Sequence, residues 1–268
     1  MSYNLKKYNY SAGIFDNSID ATYIIYLEGN TKRYKNIING IQNIKPTKTI
    51  YILFNKGWKK AKKSSYITNT AKDLVDCNIN IFRHANNKGY KNILILEDDF
   101  MFDDKLKERY IQQNINNFLI NNIKNSFSFY LGTIPFIFMP YNFNINKGLL
   151  NIYTHSVIYS QKYRKSVLNY NYKNIFCWDM FQNYFNMNKY YYNIPLAYQI
   201  IEETENSHNW PVFEIVRYLY FKLIYLFKAN ENPVLFFNFV YILSYFIILL
   251  ILIIIIKILN LIKKKNLF

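Results

Sequence analysis

Three carboxylates stand side by side at Glu97, Asp98 and Asp99, directly after the aliphatic run "ILIL". The chain around them is basic, with 33 Lys and Arg against 17 Asp and Glu and a formal net charge of +16. Its charge is unevenly spread. Residues 1–91 hold sixteen basic and five acidic side chains, whereas 92–131 hold four and six. Adjacent carboxylates in a dry site repel one another, so each raises the cost of ionising the next. A divalent cation removes that penalty. Mg2+ or Mn2+ is commonly held by one or two carboxylates, with phosphate oxygens and water completing the shell. Such a metal neutralises charge growing on a leaving diphosphate, which is the chemistry of phosphoryl or glycosyl transfer. The competing reading is three solvated acids capping a helix that begins at Asp103.

The surrounding elements decide between these. "ATYIIYL" (Ala21–Leu27), "TIYILF" (Thr49–Phe54), "NILIL" (Asn92–Leu96) and "FSFYLG" (Phe127–Gly132) read as buried strands. Helical stretches are expected at Asn30–Ile44, Thr70–Asn86 and Asp103–Lys124. Continuous apolar strands alternating with helices predict an α/β domain with a Rossmann-type, mostly parallel sheet covered on both faces. Ligands of such sheets bind beyond the carboxyl ends of the strands, where the triplet lies. The globular part is expected over residues 21–210, after an N-terminal segment 1–20.

Composition narrows the partners. With 51% hydrophobic and 19% aromatic residues the chain can bury a sizeable core, which excludes global disorder. Its positive charge favours anions: nucleotide diphosphates, acidic lipid headgroups or nucleic acid. No nucleic-acid-binding motif is present, so nucleic acid is not expected as a partner. No Gly-rich phosphate loop occurs. The two cysteines, Cys77 and Cys177, lack metal-ligand spacing and suit a reducing compartment. The basic run "KGWKKAKK" (Lys56–Lys63) reads as a solvated loop or as a lure for a diphosphate or anionic lipid.

Val234–Ile256 runs 23 residues without a charge. As a helix at about 1.5 Å per residue it spans roughly 35 Å, enough for a hydrocarbon core of about 30 Å. Lys257 and Lys263–Lys265, in the basic tail 257–268, close the segment. Upstream, within 211–233, Val212–Lys228 is expected as an interfacial helix or an ordinary amphipathic helix of the domain. "MSYNLKKYNYSAG" lacks the apolar centre of a signal peptide. A single-pass C-terminal anchor with a cytosolic catalytic domain is therefore expected, although the terminal lysines favour the opposite orientation.

The strand ending in "EDD" resembles the Asp-x-Asp-type metal site of GT-A-fold nucleotide-sugar transferases. More closely, the chain resembles glycosyltransferase family 25, the lipopolysaccharide and collagen-type transferases. The stations occur in order over residues 21–210: "IIYLEGNTKR", "NKGYKNILILEDD", "YTHSVIYSQKYRKSVL", "CWDMF" and "IPLAYQ". The resemblance implies a GT-A-like fold and a membrane-anchored enzyme that uses Mn2+ or Mg2+. It implies sugar transfer from a UDP- or GDP-sugar to a glycan, lipid-linked or protein acceptor, by an inverting mechanism. Asp99 would be the first metal ligand, and Glu97 or Asp98 would touch ribose or complete the shell. Leu27 and Arg33 would line the nucleotide site, Arg33 facing phosphates. His155 would contact substrate, His208 would supply a late metal ligand, and Asp179 would deprotonate the acceptor. Trp178 and Tyr190–Tyr192 would stack on a sugar or fill the core. The family's Ser-His pair before the metal strand is absent, and Lys32 stands where the family usually has Asp. These departures motivate the alternative of a catalytically inactive, GT-A-like membrane protein with a structural or interaction role.

Overall fold

The computed structural model describes residues 3–200 and 214–265. Three strands, β2 (Ala21–Leu27), β3 (Thr49–Asn55) and β4 (Asn92–Glu97), form a parallel block with β2 in the middle. Each is an almost unbroken apolar run, as expected where helices cover both faces. The two-residue strand period sorts their side chains. Ile24, Ile52 and Leu94 face the core formed with α1 (Thr31–Asn43) and α3 (Arg109–Asn121). Tyr23, Leu53 and Ile95 face the core formed with α2 (Thr70–Asn87), α4 (Gln161–Asn169) and α5 (Trp178–Phe185).

The sheet as a whole is mixed rather than mostly parallel. Its seven strands run in the order β1-β3-β2-β4-β7-β6-β8. β1 (Tyr3–Asn9) pairs antiparallel with β3, and Phe15 and Ile19 enter the core, so segment 1–20 belongs to the domain. β6 (Ser128–Pro140) and β7 (Ile145–Ser160) form a long hairpin that sets β7 antiparallel to β4. Only four residues, "YNFN", join these two strands, and so short a link permits no parallel return. β8 (Lys189–Tyr192) closes the far edge beside β6. β5 (Phe100–Phe102) and β9 (Ala197–Gln199) make a separate two-stranded sheet. The helix expected over Asp103–Lys124 divides into a 3-10 turn, Asp104–Lys107, and α3. In the basic run Lys56, Lys59, Lys60 and Lys62 are exposed, as a solvated loop requires, whereas the Lys63 side chain is buried in an ion pair with Asp73.

Beyond the sheet lie α6 (Glu214–Leu226) and the 33-residue α7 (Pro233–Lys265). Among the described residues one helix is long and apolar enough to cross a membrane, Pro233–Asn260, with mean hydropathy 3.2. Its first turns are not free for lipid on every side. Phe236, Phe237 and Val240 are buried against Ile134, Tyr198 and Ala229, with Leu223 and Ile224 of α6 packed on the same cluster. The Phe227 and Phe239 rings stack at 4.3 Å, joining the turn after α6 to α7. From Leu249 onward every α7 side chain up to Asn260 is exposed. The apolar run expected to begin a membrane span at Val234 thus begins as part of the domain's packing.

That packing has a measurable consequence. Phe237→Ala deletes a fully buried ring and is expected to cost about 3–5 kcal/mol. Cutting the chain after Asn232 should unfold or aggregate the domain, whereas cutting after Ile248 should preserve it. Thermal unfolding of the three variants beside the intact chain, all in the same detergent, checks both statements.

Candidate functional site

β2 ends at Leu27, and the chain turns through Gly29, whose φ of +100° is a conformation that L side chains rarely adopt. Asn30 then caps α1, its side-chain oxygen accepting from the Arg33 backbone N–H at 3.1 Å. The turn and cap aim Arg33, in the first turn of the helix, back at the end of β4. Its guanidinium meets Asp98 Oδ1 at 2.5 Å and reaches Asp99 Oδ2 at 3.7 Å. The other oxygen of Asp98 accepts from the Leu27 N–H at 3.0 Å. One carboxylate therefore joins the ends of β2 and β4 to the start of α1. Asn36 adds a second tie from α1, donating to the Phe100 carbonyl at 3.0 Å.

Asp99 is held differently. Oδ2 accepts from Gln199 Nε2 at 3.0 Å and its backbone carbonyl accepts from Ile200 N–H at 2.8 Å, while Oδ1 is buried without a hydrogen-bond partner. Burial pushes this carboxyl up to about 6, with the Arg33 charge pulling the other way. Lys32, Arg33 and Lys35 of α1 face Asp98, Asp99 and Ile200 across a cleft of about 190 Å³.

A second acidic group adjoins the first. The Thr154 hydroxyl of β7 lies 2.6 Å from Asp179 Oδ1 in α5 and 3.3 Å from Glu97 Oε1 at the end of β4. One hydroxyl proton serves one acceptor at a time, and the shorter contact favours Asp179. Asp179 Oδ2 accepts from the Tyr153 N–H at 3.2 Å. Tyr153 has φ +70°, a strained backbone for a tyrosine, and that strain sits where the two carboxylates meet. Burial raises both acids: Glu97 goes well above the usual range, pushed further by Asp99, Asp179 and Asp98, while the Thr154 bond restrains Asp179.

The other residues singled out in the sequence fall elsewhere. His155 is fully buried with Nε2 3.3 Å from the Ala197 carbonyl, against the rings of Tyr153 and Phe237. Burial lowers its pKa to about 4, so it is a neutral core histidine rather than a substrate contact. Gly132 makes room for it: a Cβ there would lie 2.5 Å from His155 Nε2. Leu27 contributes its backbone N–H while its side chain is exposed. Trp178 and Tyr190–Tyr192 are buried in the core and offer no platform for a sugar. His208 lies outside the described residues. Among the described residues no group of three His, Cys, Asp or Glu side chains gathers that could hold a metal ion. The three adjacent acids divide into Asp98 paired with Arg33, Asp99 partly unsatisfied, and Glu97 joined to Thr154. Gln199 and the bridging hydroxyl of Thr154 were visible in the sequence only as members of longer motifs. No charge or periodicity marks either.

No protein-family model matches the sequence, and no curated protein does. Among solved structures the chain aligns with the crystal structure of a glycosyltransferase involved in the glycosylation of the major capsid of PBCV-1. The alignment has 12% identity and a TM-score of 0.34, and it covers 61% of this chain and 74% of that one.

The state of Asp99 makes a stability prediction. Its folded pKa of about 6 lies above the unfolded carboxyl value near 3.9. Between these values the native state keeps a proton that the unfolded chain has lost, so stability falls as pH rises through that window and stays lower above it. Asp99→Asn removes the titration. It should stabilise the protein at pH 7.5 by up to about 3 kcal/mol, from roughly two pKa units at 1.36 kcal/mol each, and be neutral near pH 4. Thermal unfolding at the two pH values without added metal measures this. A loss of stability at pH 7.5 would assign Asp99 a purely structural role.

Proposed function

We propose that this chain is a membrane-anchored glycosyltransferase. It uses Mn2+ or Mg2+ to move a sugar from a nucleotide-sugar donor, a UDP- or GDP-sugar, to a hydroxyl of a glycan, lipid-linked or protein acceptor. The observation that carries this reading is the unpartnered Oδ1 of Asp99, buried beside a cleft walled by Lys32, Arg33 and Lys35. A buried anionic oxygen without a donor costs on the order of 1–3 kcal/mol or more, a cost that a bound cation removes. The donor set suits a hard divalent ion, which often takes one protein carboxylate and fills its shell with phosphate oxygens and water. Asp99 would hold the ion, and the bound metal would offset charge on the departing diphosphate.

The rest follows from the chain's own residues. Lys32, Lys35 and the amino end of α1 supply positive potential for phosphate oxygens. A volume of about 190 Å³ matches the diphosphate portion of a donor better than a whole nucleotide sugar, since complete small-molecule pockets run to roughly 300–1,000 Å³. Arg33, held by Asp98, keeps the cleft's two walls in register. Asp179 is the base. As the acceptor oxygen forms its bond to the sugar and the bond to the diphosphate breaks, the hydroxyl proton passes to Asp179. Glu97 stays protonated beside it, because two adjoining buried acids do not both ionise readily. The ordered stations shared with glycosyltransferase family 25 agree with these roles, and α7 would hold the domain at a membrane.

One observation favours the second reading, a non-catalytic membrane protein: the guanidinium meant for phosphates is already engaged by two carboxylates. Calorimetric titration of the full-length protein in detergent with UDP- and GDP-sugars, with and without Mn2+, separates the two. A transferase binds one donor only with Mn2+, about tenfold more weakly at pH 5 than at pH 7.5 because Asp99 must ionise, and Asp99→Asn loses that binding. Donor binding that ignores Mn2+ removes the metal from the proposal, and no binding of either donor selects the non-catalytic reading. Once a turnover assay is found, Asp179→Asn should slow it by roughly 10²-fold or more while donor affinity holds.

A further inference from the structure

The β6–β7 hairpin projects past the carboxyl edge of the parallel block, and its tip is unlike the rest of this basic protein. From Phe127 to Asn146 no side chain is charged. Phe136, Ile137, Met139 and Tyr141 are exposed there, and Phe143 at the turn is 90% exposed. Large exposed apolar patches on one projecting element mark an interaction surface. The structure also indicates what lies against it.

α7 runs beside this hairpin in the direction of its turn. Phe237 touches Tyr153 and His155, midway along β7. Two turns later Tyr245 packs on Phe138, with ring centroids 4.9 Å apart, and its hydroxyl accepts from Asn146 Nδ2 at 3.0 Å. Ile248 still packs on the core, and from Leu249 the helix continues apolar and exposed. A hydrocarbon core of about 30 Å needs roughly 20 helical residues. If Lys263 marks the far boundary, the 20 residues ending at Ile262 begin at Leu243. If Lys257 marks it, they begin still earlier, at Phe237. Either count places the near boundary at turns of α7 that are packed against β6 and β7. On the first count the hairpin turn, which reaches beyond Tyr245 in the same direction, lies close to the headgroup–acyl boundary; on the second it lies deeper, in the hydrocarbon.

We infer that the tip of the β6–β7 hairpin, around Met139, Tyr141 and Phe143, is a second membrane contact that inserts into the headgroup–acyl boundary beside α7. Tyr and Phe side chains suit that depth, where an apolar ring meets lipid and a hydroxyl can stay wet. The inference rests on α7 as the membrane span, and its test keeps the two apart. The full chain carrying Cys177→Ser is reconstituted into phosphatidylcholine nanodiscs; the remaining thiol, Cys77, is buried. Single labelling sites for the polarity-sensitive fluorophore NBD are made by Phe143→Cys at the hairpin tip, Asn125→Cys just before β6 at the opposite end, and Ile254→Cys in the exposed part of α7. The label at 143 should emit at shorter wavelength than the label at 125, and lipids spin-labelled near the headgroup should quench it at least twofold more; lipids spin-labelled deep in the acyl chain should quench the label at 254. Quenching at 254 with none at 143 overturns the hairpin contact and leaves the anchor standing. Quenching at neither overturns both. Quenching at 143 without 254 removes the anchor and overturns the placement of the hairpin beside a membrane-spanning α7.

Discussion

The site depends on one carboxylate that is fully satisfied. Asp98 accepts from the end of β2 through the Leu27 N–H and from the start of α1 through Arg33, while its own backbone follows β4. β2 and the helix that directly follows it are thereby fixed to β4, far away in sequence, by charge-assisted hydrogen bonds, among the stronger polar contacts available in a protein. Buried pairs of this kind contribute little net stability when compared with apolar replacements, yet removing one partner costs several kcal/mol because the other is left charged and unpaired. Arg33 and Asp98 are each other's condition for being buried. Their pairing also leaves Arg33 as the cation that partly offsets Asp99, and so sets how much negative charge the cleft can hold.

Around that pair the acids separate by environment. Asp99 keeps one oxygen unsatisfied and sits near the middle of the physiological titration range. Glu97, one residue before the pair, is pushed much further because desolvation is reinforced by three neighbouring carboxylates. Asp179 arrives from a different element altogether and is restrained by the Thr154 hydroxyl. Acids whose environments drive their affinities for protons apart can take different roles in one site. Thr154, a side chain without charge, links two of them.

Much of this was legible in the residues, and the rest was not for identifiable reasons. The apolar runs of β2, β3 and β4 locate the buried strands because two covered faces demand them. The same runs carry no mark of direction, so the antiparallel β7 and the mixed sheet depend on a four-residue turn far downstream of β4's triplet. β1 alternates exposed and partly buried side chains over seven residues, a weak pattern for an edge strand, and was absorbed into an N-terminal segment. The triplet's place at a strand end was readable, but the partner of each acid was not. The resemblance separates Asp99, as first metal ligand, from Asp98, but only the fold shows Arg33 on one and Gln199 on the other. His155 was conspicuous as a rare residue type in an apolar strand, and its burial is the ordinary fate of that setting. The apolar helix was evident from composition alone, whereas its docked first turns were not, because lipid and protein cores select the same side chains.

That docking bears on how the molecule is made. Arg33, the acids, Thr154, Asp179 and Gln199 leave the ribosome in that order, and all of them precede α7 in the chain. Yet Tyr198, next to the glutamine that holds Asp99, is covered by Phe237 of α7, as is His155 behind Thr154. The sheet and its helices can therefore collapse during synthesis but cannot close their last core until α7 has emerged and packed. Completion of the site thus waits on a helix that follows every one of its residues in the chain.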